Sequence, residues 1–259
     1  MLEEVNGLVI RSVDLGEADR LITLYTKEQG LISTMVKGAR SYRNKNMAST
    51  QQFCYGSFIL NRKGDKSWVS ESNIIESFFG LRSDIVALSL AGYIVEVIND
   101  VATAEADEDI LRLALNSLYA ISERRYSFTK IKAAFEIRLC AIIGFMPDVI
   151  GCRECGERAG EFYFDIMSGN IECFACHQIA AKEHRDDSFD EREARIIEIL
   201  SEGAKIALGY CIYSPLERLF AFNISDEDMR LMSKSCEDYL LNQLERSFKS
   251  LEFYKEVRD

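Results

Sequence analysis

The stretch "GLVIRSVDLGEADRLITLYTKEQGLISTMVKGARS", Gly7 to Ser41, carries the first decision about the fold. It holds three short runs, "GLVIRSV", "RLITLYT" and "LISTMVKG", rich in Val, Ile, Thr and Tyr and interrupted by turn residues. That is the pattern of strands rather than of helices. "KEQG" closes the second and third runs into a hairpin. Two more runs follow, "YGSFIL" from Tyr55 and "SWVSES" from Ser67, joined through "NRKGDKS", where Gly64 is free to take a positive φ. Five short strands over roughly eighty residues predict a small β-barrel; the OB-fold is the commonest five-stranded one, and an SH3-like barrel fits the same pattern.

After Phe79 the apolar period changes from two to about 3.6. Ile85, Leu88, Gly92, Val95 and Ile98 share one face of a first helix, and a second runs from about Asp109 to Ile121. A third, "SFTKIKAAFEIRLCAIIG", aligns Ile131, Phe135, Leu139 and Ile142 and stops at Gly144, with Pro147 beyond. Ser188 and Glu191 form a capping-box signal that predicts a helix over "REARIIEIL". A last helix starts near Ser225 and carries Met229, Met232, Cys236, Tyr239 or Leu240, Gln243 or Leu244, and Phe248 along one stripe. Each stripe is core packing between helices. The expected fold class is α+β and multidomain: an OB-fold β-barrel over residues 1–80, an α-helical domain over 81–148 and 180–259, and a cysteine module inserted at 149–179.

That module is "CRECGERAGEFYFDIMSGNIECFAC", Cys152 to Cys176. Its two Cys-x-x-Cys pairs match a strong zinc signature. Zn²⁺ takes four soft or borderline donors in a tetrahedron, and each Cys-x-x-Cys turn presents two thiolates to one point. Gly156 sits where such a turn needs a positive φ, and "EFYFDIMSGNIEC" predicts a hairpin that returns the second pair to the first. With Cys152, Cys155, Cys173 and Cys176 filling the shell, the zinc is expected to be structural. Other readings fit less well. "CFACH" matches a c-type haem attachment, but that leaves the first pair unexplained. A thioredoxin-like couple lacks its βαβ context. His177 is expected to neighbour the site, and Cys54, Cys140, Cys211 and Cys236 to be buried small hydrophobes.

No leader pattern opens the chain, and its longest uncharged apolar run, about ten residues, is half of what a membrane span needs. A cytoplasmic protein without membrane contact is expected, in a compartment where thiols stay reduced. Catalytic chemistry is sparse. The two histidines, His177 and His184, lie at the cysteine segment, and there is no P-loop, Gly-x-Ser-x-Gly or His-Glu-x-x-His. The carboxylate pairs Glu3–Glu4 and Asp186–Asp187 sit in charged, solvated stretches. A binding protein rather than an enzyme is expected. Net charge is −11, yet residues 1–80 carry ten Lys/Arg against nine Asp/Glu. Lys37, Arg40, Arg43, Lys45, Arg62, Lys63 and Lys66 cluster there around one acid, Asp65, with Tyr42 among them. Cations that track a backbone and aromatics that stack bases are what single-stranded nucleic acid requires. These eight residues, Tyr42 included, are the candidate DNA-binding set. Trp68 either stacks on a base or plugs the barrel, the plug being slightly favoured. Gly38, between Lys37 and Arg40, leaves room for a phosphate.

Several of these stretches share one resemblance. The Gly7–Ser41 stretch is similar to the opening of the RecO family of bacterial recombination mediators. "FEIRLCAIIGFMPDVIGCRECG" resembles that family's central helix and first cysteine pair, "SGNIECFAC" the approach to the second, and "RSFKSLEF" its C-terminal helix. The resemblance implies an N-terminal OB-fold, a helical C-terminal domain and a zinc module. It implies binding of single- and double-stranded DNA, annealing of complementary strands, and DNA repair by homologous recombination without enzymatic turnover. The implied partners are RecR, the C-terminal tail of single-stranded DNA-binding protein (SSB) docked on the helical domain, and indirectly RecA, which is loaded onto SSB-coated strands. The implied location is the bacterial cytoplasm, at the nucleoid during repair. Cys152, Cys155, Cys173 and Cys176 match the family's metal positions, and Lys37 and Arg40 of "KGAR" match its DNA-contacting basic residues. The rival reading is a zinc-ribbon scaffold for protein or RNA that does not anneal DNA.

Overall fold

The structure, a computed structural model, describes residues 2–64, 66–103, 106–183 (without the side chains of 181–183) and 195–258. Asp65, His184, Asp186–Asp187 and the Ser188–Glu191 capping box lie outside them. Contacts gather the chain into two units, residues 1–125 with 248–259, and residues 126–247.

The first unit opens with five strands: β1 (Leu2–Leu15), β2 (Asp19–Thr26), β3 (Gly30–Val36), β4 (Tyr55–Lys63) and β5 (Lys66–Glu76). They close in the order β1-β2-β3-β5-β4, with β3 and β5 parallel and β1 returning to β4. That closure is the OB-fold arrangement, so the SH3-like alternative falls away. β1 makes it possible by serving two partners. Leu2–Leu8 pair with β4 and Gly7–Leu15 with β2, with a bulge between Val9 and Arg11. Bulges bend a strand and raise its twist, which lets one strand join both walls. Gly56 faces Gly7 across this crossing, and a Cβ on Gly56 would meet the Asn73 carbonyl at 2.4 Å. Val5, Val9, Ile22, Leu24, Ile32, Val36, Phe58, Leu60 and Val69 fill the interior. Trp68 is only half-buried, so the favoured plug reading is corrected: Phe58, fully buried, fills the barrel instead.

Two helices follow, α1 (Ile85–Val101) and α2 (Glu108–Ser122), capped by the carboxylates of Asp84 and Asp107. The expected single face of α1 is too narrow. Ile85 is exposed, whereas Ala87, Leu90, Ala91, Tyr93, Ile94, Val95, Val97 and Ile98 are buried. α2, β1 and the C-terminal helix all pack on α1, so it buries most of its circumference.

The second unit holds α3 (Phe128–Ile142), β6 (Phe162–Asp165), β7 (Asn170–Cys173), α4 (Phe174–Glu183), β8 (Ile197–Leu200), α5 (Glu202–Tyr213) and α6 (Asp226–Leu244). The chain ends in α7 (Lys249–Arg258), which belongs to the first unit. Two expectations are corrected here. "IEIL" is a strand, not a helix, pairing Phe162 with Leu200 and Tyr163 with Ile199 in a sheet ordered β7-β6-β8. Its isoleucines serve a strand as readily as a helix, and a short apolar run cannot separate the two. Phe248 is not on α6, because Glu245 turns left-handed at φ 51° and ends that helix. Phe248 meets Tyr93 edge-on at 5.9 Å. Composition changes at residue 80, while compactness groups α1, α2 and α7 with the barrel, because those helices spend their apolar surface on α1 and the barrel wall. Inside the second unit, Lys132 of α3 is fully buried between Glu136 and Glu237, 2.7 Å from each.

Candidate metal centre and nucleic-acid interface

The four cysteines come from two turns. Cys152 and Cys155 lie on a tight loop in which Gly156 N–H donates to the Cys152 carbonyl (2.8 Å) and Gly156 takes φ 78°. Arg153 N–H donates to the Ile171 carbonyl (2.9 Å), fastening that loop to β7. Cys173 ends β7 and Cys176 sits in the first turn of α4, with its N–H directed at the Cys173 sulfur (3.5 Å). The β6–β7 hairpin expected from the sequence therefore returns the second pair to the first.

All four sulfurs lie within 4.8 Å of one another, and Cys155 Sγ to Cys173 Sγ is 3.7 Å. A tetrahedron with metal–sulfur bonds of about 2.3 Å has edges of roughly 3.8 Å. The donor set fits a metal ion held by four thiolates, with no position left for a reactant. Burial opposes ionisation of Cys152, but N–H groups of Cys173, Cys155 and Glu154 outweigh it and draw that thiol down to about 6. Burial pushes Cys54 up to about 11 and Cys211 up to about 12, and raises Cys140 and Cys236 too, so those four are packed, protonated thiols. His177 is a neighbour, as expected. Its Nδ1 lies 3.1 Å from the Glu172 carboxylate and its ring stacks on Tyr163 at 4.0 Å.

The basic residues are distributed along the barrel. Arg62 and Lys63 end β4 and Lys66 opens β5. Gln29, Ile32, Ser33, Arg62, Lys66 and Ser67 line a groove of about 370 Å³ between the β2–β3 turn, β3 and the β4–β5 turn. It opens because β3 and β5 pair only at Met35 and Trp68. Lys37 follows at the end of β3 with its ammonium 5.2 Å above the Trp68 ring. Arg40 donates to the Gly16 carbonyl (3.0 Å), reaching the β1–β2 turn. Two backbone ties fix this corner: Gly38 N–H to Asp19 Oδ1 (2.8 Å) and Arg40 N–H to the Ala18 carbonyl (3.1 Å). Tyr42 is 80% exposed and carries the Arg43 guanidinium at 5.4 Å from its ring. Lys45 pairs with Glu71 on the outer side of β5.

Arg62 and Lys66 line that groove beside the start of β3, and Lys37 and Arg40 follow the end of the same strand, seven residues and roughly 20 Å long. The carboxylates paired with the cations escaped the sequence reading. Glu3 holds Arg62 (3.0 Å), Glu71 holds Lys45, and Asp14 contacts Arg20 (3.0 Å) and Arg40 (3.6 Å). Each lies at least 26 residues from the candidate DNA-binding cation it meets, so no local pattern announces the pairing.

Fold and sites together define a class: an OB-barrel protein with a basic flank and, in its second unit, four cysteines placed to hold a metal ion. Comparison with known proteins narrows it. Residues 1–78 match the family described as recombination protein O N terminal, and residues 82–252 match recombination protein O C terminal. The chain is 34% identical over 254 residues to the DNA repair protein RecO of Acetivibrio thermocellus, covering 97% of this chain and 96% of that one. It is 27% identical over 260 residues to the DNA repair protein RecO of Alkaliphilus metalliredigens, covering 99% and 100%. With that of Bacillus subtilis it shares 27% identity over 180 residues, 69% and 70% of the two chains. The chain belongs to the RecO family of DNA repair proteins. Among the described residues, no helix is long and apolar enough to cross a membrane.

Proposed function

We propose that this protein is a recombination mediator that binds single- and double-stranded DNA on the barrel and anneals complementary strands. The observation that carries the reading is the placement of Lys66, Lys37 and Arg40 along one side of an OB barrel, with Arg62 and Lys63 at one end and exposed Tyr42 near the other. OB-folds hold nucleic acid on the strand 2–3 face and adjoining loops. Cations there neutralise phosphates of two strands and lower their mutual repulsion, so that bases can pair; no nucleotide is consumed. The four cysteines hold a structural Zn²⁺ that fixes the fold of the module and takes no part in strand pairing. Membership of the RecO family supports the rest of the reading: the protein acts without enzymatic turnover in the bacterial cytoplasm, with RecR and the SSB tail, and helps load RecA onto SSB-coated strands.

The test is fluorescence anisotropy of a labelled single strand across a salt series, with zinc measured on the same sample and annealing of complementary oligonucleotides followed in parallel. About one zinc per chain and an affinity that falls steeply with salt support the reading. Zinc without DNA binding moves the function to protein partners.

A further inference from the structure

We propose that Asp14 sets the DNA affinity of this surface: its carboxylate occupies, in the free protein, the place that a phosphate takes on Arg40. The inference rests on the DNA-binding reading above. Asp14 uses its two oxygens on two guanidiniums, Oδ1 at 3.0 Å from Arg20 Nε and Oδ2 at 3.6 Å from Arg40 Nε. A phosphodiester also presents two anionic oxygens, and a guanidinium takes either group. The two arginines are held unequally. Arg20 is close and its side chain only 16% exposed, so it stays as an anchor. Arg40 is 47% exposed at the longer distance, so it can exchange partners.

Exposed ion pairs of this kind are worth little. Displacing Asp14 from Arg40 therefore costs little, but its charge remains beside the bound strand and repels it. The backbone ties of Gly38 to Asp19 and of Arg40 to Ala18 keep the loop in place whether or not Asp14 is charged. Elsewhere on the surface, Lys37, Arg43, Lys63 and Lys66 face no carboxylate partner among the described residues and are the cations a strand meets first. Asp14 thus marks the boundary between cations that are free at once and a cation that must be released.

The variant is Asp14→Asn, which keeps an acceptor for Arg20 and removes the charge. Binding of a labelled oligothymidylate is measured across a salt series beside the parent protein, Glu17→Gln, Arg40→Gln and the Asp14→Asn/Arg40→Gln double variant, with thermal melts confirming each fold. Glu17 is exposed on the same turn and pairs with no cation among the described residues, so it controls for net charge alone. Asp14→Asn should bind roughly two- to fivefold more tightly at low salt. Its plot of log affinity against log salt should keep the parent's slope, because Arg40 meets the same phosphate in both complexes. Glu17→Gln should do less, and Asp14→Asn should add nothing in the Arg40→Gln background. Equal gains from Asp14→Asn and Glu17→Gln, or an undiminished gain without Arg40, overturn the inference and leave the DNA reading standing. A parent protein that binds no DNA at any salt overturns both. Asp14→Ser serves the same comparison where the amide lowers the melt.

Discussion

The barrel and the cysteine module solve the same problem, holding a small β structure closed, by opposite means. The barrel has five strands of seven to fourteen residues around an apolar interior, so strand pairing and burial close it. The module sheet has three strands of four residues each, too short to be stable by pairing alone, and its two turns meet at four sulfurs. Charge follows the same division. On the barrel, Lys37, Lys63 and Lys66 stand exposed outside the apolar interior, whereas the module gathers its four cysteines at one point.

Stripping the proposed structural zinc should break the comparison most sharply. Structural Zn²⁺ sites carry folding free energy of about 10–16 kcal/mol in small zinc-finger peptides. Chelator treatment followed by hydrogen exchange should release the amides of β6 and β7 while those of β1–β5 keep their protection. Equal loss in both regions would mean that closure of the barrel also depends on the clamp. The reciprocal change is Phe58→Ala, which empties the barrel interior and should cost about 3–5 kcal/mol. Its signature is a lower denaturant midpoint for barrel amides with zinc content unchanged. A milder shift would show that the walls collapse onto the space.

Between these lies a buried charge. Lys132→Met leaves the Glu136 and Glu237 carboxylates facing an apolar chain and should destabilise the second unit by roughly 3–5 kcal/mol. Nothing local in the sequence marks it, because Lys132 lies one residue from Ile131 in a helix whose periodic stripe is apolar. What is legible is whatever repeats or is spaced locally: strand alternation, the hairpins at "KEQG" and "NRKGDKS", the two Cys-x-x-Cys turns, and helices that start near Ser127 and Ser225. What is not legible depends on long-range pairing. β8 becomes a strand only because β6 offers it an edge, α6 stops at a left-handed Glu245 with no glycine to mark it, and Asp14 meets Arg40 only after the barrel closes.

The charged flank sharpens the comparison at smaller magnitude. Replacing Lys37 and Arg40 together by alanine should remove the two phosphate contacts proposed for the barrel and none from the module. At about 1.5 kcal/mol for each hydrogen bond to a charged group, the loss is roughly 3 kcal/mol of single-strand affinity. The slope of log affinity on log salt should flatten by about 1.4, two contacts at 0.7 each. A loss of affinity with an unchanged slope would mean that the pair shapes the loop rather than meeting phosphate.

Tyr42→Ala is expected to have the smallest effect, and it asks whether the flank does anything beyond charge. The ring is 80% exposed and already carries Arg43, whose Nε donates to the Tyr42 hydroxyl at 3.0 Å. A guanidinium over a ring stiffens it and leaves the aromatic group available as a platform, so one base stacking there should lose about 1 kcal/mol on truncation. Stacking does not depend on counterions. Affinity should therefore fall by about fivefold at every salt concentration, with the slope unchanged, the opposite signature to that of Lys37 and Arg40. If the slope moves instead, Tyr42 acts by orienting Arg43 toward a phosphate, and the flank is electrostatic throughout.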